Sequence, residues 1–74
     1  MPRPPRRQGI LTRRQTEIAI LIAEGLTNAE IAQRLVLTEG TVANHIEKIR
    51  RRMGARNRVQ AAVWFVLDQE RRHH

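Results

Sequence analysis

The fold is decided by residues 27–53, which read TNAEIAQRLVLTEGTVANHIEKIRRRM. Apolar residues recur in this stretch at steps of three and four, in two blocks that predict one helix over 28–35 and a second over 39–53. A threonine precedes each block, at Thr27 and Thr38, where its side-chain oxygen can accept a hydrogen bond from a backbone N–H of the first turn. Only three residues separate the blocks, which predicts the tight crossing of a helix-turn-helix.

Two further helices are predicted on either side of this stretch, over about 13–24 and 58–70. A capping-box signature, in which an N-cap side chain is followed three residues later by Glu or Gln, marks three of the four helix starts: Thr12 with Gln15, Thr27 with Glu30, and Asn57 with Gln60. Gly25 and Gly54 supply stops after the first and third helices. The sequence therefore predicts an all-α fold of four helices.

The first three helices have apolar positions that we expect to face a common core. They are Ile18, Leu21 and Ile22; Ile31, Ala32 and Leu35; and Val42, Ile46, Ile49 and Met53. The last helix has the apolar residues Val59, Ala62, Val63, Val66 and Leu67. The last helix also has Trp64 and Phe65 on its other sides, which is more apolar surface than one face can bury. Two interpretations stay open: an exposed apolar side that binds a partner, or aromatic rings that complete a small core.

Composition limits the classes of protein to which this chain can belong. Fourteen Lys and Arg against seven Asp and Glu give a net charge of +7, which is typical of nucleic-acid binders. The absence of cysteine excludes disulfides and thiolate zinc sites and favours a cytoplasmic location. No apolar run approaches the roughly 20 residues of a membrane span, and no signal peptide precedes the first helix, so we expect no membrane association and no export.

The amino-terminal segment differs from the rest of the chain. Residues 1–9 combine three prolines with three arginines, so they predict a flexible basic arm or linker ahead of a domain over 10–72.

The predicted helix over 39–53 has the polar side chains expected of a DNA-reading helix. Asn44, in its amino-terminal half, can bond an adenine edge with one donor and one acceptor. Lys48 and Arg52 lie one turn apart in the cationic second half, where contacts to phosphate are expected. His45 has two interpretations, a donor to phosphate or a side chain packed at the edge of the helix.

Catalysis is not predicted. The glutamates are scattered over polar helical surfaces, and no nucleophile motif or glycine-rich phosphate loop accompanies them. Adjacent His73 and His74 would diverge on a helix, so they do not predict a metal site. We therefore expect no enzymatic activity, no metal and no cofactor.

The sequence resembles the LuxR-type (GerE-type) helix-turn-helix domain of quorum-sensing regulators and NarL-type response regulators. The matching words span about three quarters of the chain: Leu11-Thr12-Arg13-Arg14, Ile22-Ala23-Glu24-Gly25-Leu26-Thr27-Asn28, Glu30-Ile31-Ala32, Thr38-Glu39-Gly40-Thr41-Val42, His45-Ile46, Met53-Gly54-Ala55-Arg56-Asn57-Arg58 and Gln60-Ala61. The resemblance implies a scaffold helix, a recognition helix that enters the major groove, and a last helix that forms a two-fold dimer on DNA.

The resemblance also implies a role for individual positions. The DNA-facing positions of the family fall on Thr38, Glu39, Thr41, Ala43, Asn44, Glu47 and Lys48. Combined with the helical pattern, we expect contacts to base edges from Thr41, Ala43, Asn44 and Glu47, and contacts to the DNA backbone from Thr27, Thr38, His45, Lys48 and Arg52. On the last helix we expect the dimer interface to contain Val59, Val63, Trp64 and Leu67.

Three positions depart from the family's pattern. The family often has basic residues where this chain has Ala43 and Glu47, which weakens the attraction expected inside the groove. It usually has glycine in the turn where this chain has Val36. A β-branched residue is poorly suited to positive φ, so we expect either a differently shaped turn or local strain.

The expected partner is double-stranded DNA, bound by a homodimer. The resemblance leaves open a receiver or ligand-binding domain in a longer parent protein, and a contact with RNA polymerase. A second hypothesis is a protein-interaction module, in which the apolar side of the last helix holds a polymerase subunit or a regulatory domain.

Overall fold

The structure, a computed structural model, describes residues 11–72. That part of the chain is all helical, as predicted, with α1 (Arg13–Ala23), α2 (Asn28–Leu35), α3 (Glu39–Met53) and α4 (Arg58–Arg72). The predicted ends are correct to within one residue for the first three helices, and α4 is two residues longer than predicted. The basic arm predicted over residues 1–9 and the histidine pair at 73–74 lie outside the described residues.

Helix α3 packs against α1, α2 and α4, and α1 likewise contacts each of the other three helices. The predicted inward stripe of α3 is confirmed, since the four side chains of that stripe are all buried: Val42, Ile46, Ile49 and Met53. Ile18 and Ile31 complete the most deeply buried group, from α1 and α2 respectively. Burial of this single stripe fixes the rotation of α3 and leaves its opposite side exposed.

The aromatic side of α4 faces the core. Trp64 and Phe65 are buried with Ala61, at 3%, 7% and 3% exposure, whereas Val59 and Val63 are exposed. The rings contribute most of the apolar area that α4 can bury, and aromatic side chains dominate the energetics of small cores. The aromatic residues therefore complete the core, as one interpretation predicted, and Trp64 has little surface left for a partner. The other interpretation, an apolar side that binds a partner, stays a prediction for the exposed Val63 and Leu67.

The helices begin at the predicted caps. Thr12 and Thr27 form complete capping boxes with Gln15 and Glu30, and Thr38 caps α3 alone by accepting a hydrogen bond from the backbone N–H of Thr41 at 3.1 Å. The box predicted at Asn57 is only half formed. The Asn57 side chain accepts from the backbone N–H of Gln60, but the Gln60 side chain accepts from the backbone of Arg56 instead.

The first three helices end in one shared pattern. In each, a backbone N–H donates to the carbonyl five residues earlier: Leu26 to Leu21, Leu37 to Ala32, and Ala55 to Arg50. This hydrogen bond requires a left-handed residue just before the donor. Gly25 and Gly54 meet that requirement, with φ of 92° and 68°. Val36 occupies the third such position, with φ 57° and ψ 52°.

Val36 is therefore a strained residue in the turn between α2 and α3. Its Cβ crowds the backbone in this conformation, at a cost of roughly 1–2 kcal/mol, and its side chain is 89% exposed, so no packing offsets that cost. Of the two outcomes expected from the sequence, a reshaped turn or strain, the structure shows strain.

Replacement of Val36 by glycine should stabilise the domain. Relief of strain exceeds the entropic cost of glycine, which is about 0.5–1 kcal/mol, so we expect Val36→Gly to raise Tm by about 2–8 °C in a domain of this size. Val36→Ala keeps the Cβ and should raise Tm less. A lower Tm for Val36→Gly in thermal unfolding would show that the left-handed conformation is not strained.

Candidate nucleic-acid interface

The outer side of α3 presents the side chains predicted for base contact. Ala43 and Asn44 are exposed, and Thr41 and Glu47 are partly exposed. They share this side because the buried stripe occupies the opposite face of the helix. The chain thus holds all four on one convex surface, in the amino-terminal and middle turns of α3.

The amino terminus of α3 is organised by two hydroxyl groups. Thr38 Oγ1 accepts the backbone N–H of Thr41 and donates its own hydrogen to Thr41 Oγ1, over 2.9 Å. Because the Thr38 hydrogen fills an acceptor position of Thr41, the hydroxyl hydrogen of Thr41 can be donated outward. Thr41 is in this way prepared as a donor to a base edge or to a phosphate oxygen.

Thr27 lies at the equivalent point of α2. Its Oγ1 accepts the backbone N–H of Glu30, and its own N–H donates to the Glu30 carboxylate at 2.8 Å. The backbone hydrogen bond from Thr27 is the main cause that lowers the pKa of Glu30 from its usual value. The start of α2 is therefore fixed, with the Thr27 hydroxyl group at the surface.

His45 is only partly exposed, and its two ring nitrogens differ. Nδ1 is buried and has no hydrogen-bond partner among the described residues. A buried ring nitrogen without a hydrogen-bond partner is unfavourable, because water is excluded from it. If the ring contacts a phosphate, it does so through Nε2. One edge of the His45 ring is thus packed inward, and its contact with phosphate stays a prediction.

Glu47 is the centre of an ion-pair network that the sequence reasoning missed. Its carboxylate accepts two hydrogen bonds from Arg50, at 3.1 and 2.6 Å, and one from Arg51 Nε at 3.2 Å. Arg50 also donates to the carbonyl of Ala55 at 2.9 Å, beyond the end of α3. The sequence itself contains the pattern of this network, because a glutamate followed by arginines three and four residues later can form ion pairs on a helix.

The network keeps Glu47 ionised. The hydrogen bonds from Arg50, supported by Arg51, lower the pKa of Glu47 from 4.5 to about 2. The carboxylate therefore carries its charge at any pH at which DNA binding would be measured.

A second contact missed from the sequence joins α4 to the start of α2. Arg58 donates from Nη1 to the side-chain oxygen of Asn28 and from Nη2 to the carbonyl of Leu26, the latter at 3.3 Å. Both partners lie about 30 residues away in sequence, so helical periodicity gives no sign of the contact. These hydrogen bonds connect the start of α4 to the start of α2.

The exposed apolar side of α4 borders a groove of about 380 Å³ against the end of α1. Val59, Val63 and Val66 line it from α4, and Ile22 and Leu26 line it from the α1 side. Val63 is 50% exposed. Of the residues predicted for a dimer interface, Val59, Val63 and Leu67 are exposed, whereas Trp64 is buried in the core.

Residues 11–72 contain no cluster of three or more His, Cys, Asp or Glu side chains that could hold a metal ion. None of the helices described there has the length and hydropathy required to cross a bilayer.

Comparison with known proteins gives a consistent match. The family described as bacterial regulatory proteins, luxR family, matches residues 9–65. The chain is 48% identical over 61 residues to the nitrate/nitrite response regulator protein NarL of Escherichia coli K12, covering 82% of this chain and 27% of that protein. It is 45% identical over 56 residues to the transcriptional regulatory protein LnrK of Bacillus subtilis 168, and this match covers 76% of this chain and 26% of that protein.

A third relative is the DNA-binding transcriptional activator DevR/DosR of Mycobacterium tuberculosis H37Rv, 41% identical over 54 residues, covering 73% of this chain and 25% of that protein. The chain thus spans about a quarter of the length of the curated relatives it matches.

The depressed pKa of Glu47 predicts a stability difference that depends on pH. A carboxylate whose pKa is lowered on folding stabilises the fold above its unfolded pKa, and this contribution is lost as pH falls through the folded value. Glu47→Gln should therefore melt below the wild type at pH 7, and the difference should disappear as pH falls from about 4.5 to about 2.

Glu17→Gln is the matched control, since Glu17 also pairs with an arginine three residues away, but only at 3.9 Å. It should lower Tm less at pH 7. Equal melting of Glu47→Gln and wild type at pH 7 would contradict the role given to the network.

Proposed function

The chain belongs to the luxR family of bacterial regulatory proteins, and from that premise we propose how it binds DNA. The family is one of DNA-binding transcription regulators and is not a class of enzymes. In our proposal α3 enters the major groove of double-stranded DNA and reads sequence there. The chain acts as a pair of identical copies joined through α4, in the cytoplasm.

One observation supports this proposal most directly: the outer face of α3 changes character along its length. Its first turns expose hydroxyl, methyl and amide groups at Thr41, Ala43 and Asn44, and its later turns expose the cationic Lys48 and Arg52. Short hydrogen-bonding groups read base edges, whereas cations bind phosphates without sequence preference. This order fits a helix that enters the groove by its amino-terminal half.

The proposed roles follow from that placement. Asn44 bonds an adenine edge, Thr41 donates its hydroxyl hydrogen, and the Ala43 methyl group contacts a thymine methyl group. The contacts to the DNA backbone come from five side chains: Thr27, Thr38, His45, Lys48 and Arg52. His45 donates through Nε2. Thr27 and Thr38 contribute at helix amino termini, where anions bind favourably.

The groove between α1 and α4 supports the proposed dimer. A second copy of the chain would cover Val59, Val63 and Leu67, apolar side chains that are each at least 43% exposed. Exposed apolar side chains next to a concave surface are typical of binding sites. The second hypothesis, that this side of α4 holds RNA polymerase or another protein, is the alternative that the dimer test decides.

The parent protein is also part of the proposal. Since the relatives are about four times as long and one is named a response regulator, we propose a receiver or ligand-binding domain elsewhere in the parent protein. That domain would supply the signal, and the four helices would supply DNA binding.

The roles of Asn44 and Lys48 are tested by comparing Asn44→Ala with Lys48→Ala on a duplex selected from a random library. Asn44→Ala should lose about 1–3 kcal/mol of preference for the selected base pair, because its paired donor and acceptor are removed. Lys48→Ala should weaken all sequences equally and reduce the slope of log affinity against log salt by about 0.9. The reverse pattern in binding titrations would overturn both assignments.

The dimer is tested with Val63→Asp, which places a charge in the α1–α4 groove. We expect loss of self-association in sedimentation analysis and weaker binding to a two-site duplex, with half-site binding unchanged. Ile20→Asp is the control, because Ile20 is 42% exposed but is absent from the groove lining. Unchanged association and two-site binding in Val63→Asp would exclude the dimer and favour another protein as the partner of α4.

A further inference from the structure

Arg51 lies on the DNA-facing side of α3 but already has a partner. It is seven residues after Asn44, two helical turns along the same face, and its side chain is 73% exposed. Its Nε donates to Glu47 Oε1 at 3.2 Å. An exposed arginine at this position would be expected to bind phosphate, yet the chain supplies its own carboxylate.

The carboxylate that Arg51 contacts is held in place by other groups. An isolated exposed ion pair is weak, largely because two flexible side chains must be ordered to form it. Glu47 is already fixed by two hydrogen bonds from Arg50, whose third hydrogen bond is to the backbone of Ala55. The entropic cost of the Arg51 contact is reduced accordingly, because the acceptor is ordered before Arg51 binds it.

A DNA phosphate that approached Arg51 would meet two unfavourable conditions. It would have to compete with Glu47 for the guanidinium group, and it would lie close to a carboxylate of the same sign. Contacts to phosphate provide the sequence-independent part of DNA affinity. An internal carboxylate next to a cation therefore reduces that part, and leaves the hydrogen bonds of Asn44 to base edges unaffected.

On the basis of the proposed DNA binding, we propose that Glu47 is an internal counterion that keeps Arg51 from the phosphate backbone and so limits the sequence-independent affinity of α3. Glu47 acts through Arg51 as a positioning residue, which differs from the direct base contact that the family resemblance implies. A residue that reads a base changes affinity at one base pair, whereas an internal counterion changes affinity for every sequence by the same factor.

The test is the salt dependence of binding by the 74-residue chain to a random-sequence duplex and to a selected duplex. In Glu47→Gln, Arg51 becomes available to one more phosphate, so the slope of log affinity against log salt should steepen by about 0.9. Affinity should then fall about 3.5-fold more than that of the wild type between 50 and 200 mM salt. Both duplexes should gain affinity at low salt by the same factor.

Two further variants show whether the effect passes through Arg51. Arg51→Gln should leave the wild-type slope unchanged, and the Glu47→Gln, Arg51→Gln double variant should return to it. Glu17→Gln is the control for charge alone, since it removes one negative charge from α1 and should not change the slope. Arg51→Gln keeps the hydrogen bonds between Arg50 and Glu47, so it tests the proposal even if Glu47→Gln is unstable.

Three results would overturn the proposal: an unchanged slope in Glu47→Gln, a steeper slope that persists in the double variant, or an effect confined to one base pair. A slope shallower by about 0.9 in Arg51→Gln alone would also overturn it, because Arg51 would then already bind phosphate in the wild type. Failure of the proposed DNA binding is distinguishable, since it would appear in the wild-type chain as no salt-dependent binding to any duplex.

Discussion

Burial of one face of α3 determines which of its side chains point away from the core. Val42, Ile46, Ile49 and Met53 pack against the other three helices, and a helix held along a full stripe cannot rotate without exposing that stripe to water. The outward direction of Asn44 is therefore a consequence of core packing. In a chain of 74 residues, where the core is small, the same side chains provide stability and orient the surface proposed to read DNA.

The ends of the helices provide the second constraint. The turn between α2 and α3 is closed by the hydrogen bond from Leu37 to Ala32, which needs a left-handed residue at position 36. The other two ends of this type use glycine, and this one uses valine. The chain tolerates the strain because Leu37 then packs against the core, and because the cap at Thr38 can start α3 at once.

The sequence predicted the local features of the fold well and those that depend on distant contacts poorly. Caps and glycine stops are determined by neighbouring residues, so helix bounds and the α3 stripe could be read directly. Periodicity did not identify the buried side of α4, because valines lie on one side and Trp64 and Phe65 on the other, and only the space left by the other helices decides between them. The contact from Arg58 to Asn28 was invisible for the same reason.

In the candidate interface, too, the sequence predicts what depends on local spacing and does not predict what depends on tertiary packing. The positions of Thr41, Asn44 and Lys48 on the outer face followed from helical spacing alone. The buried Nδ1 of His45 depends on tertiary packing and did not. The pairing of Glu47 with Arg50 and Arg51 is local, because the arginines follow it by three and four residues, and helical spacing alone is enough to predict it.

The central claim is that the outer face of α3 meets the edges of base pairs. The most direct measurement is a titration of the isotope-labelled chain with a selected duplex, followed by backbone and side-chain amide NMR signals. We predict the largest changes from Thr38 to Arg52, including the Asn44 side-chain amide, at positions outside the buried stripe. Changes confined to α1 and α4, with the signals of α3 unmoved, would contradict the account.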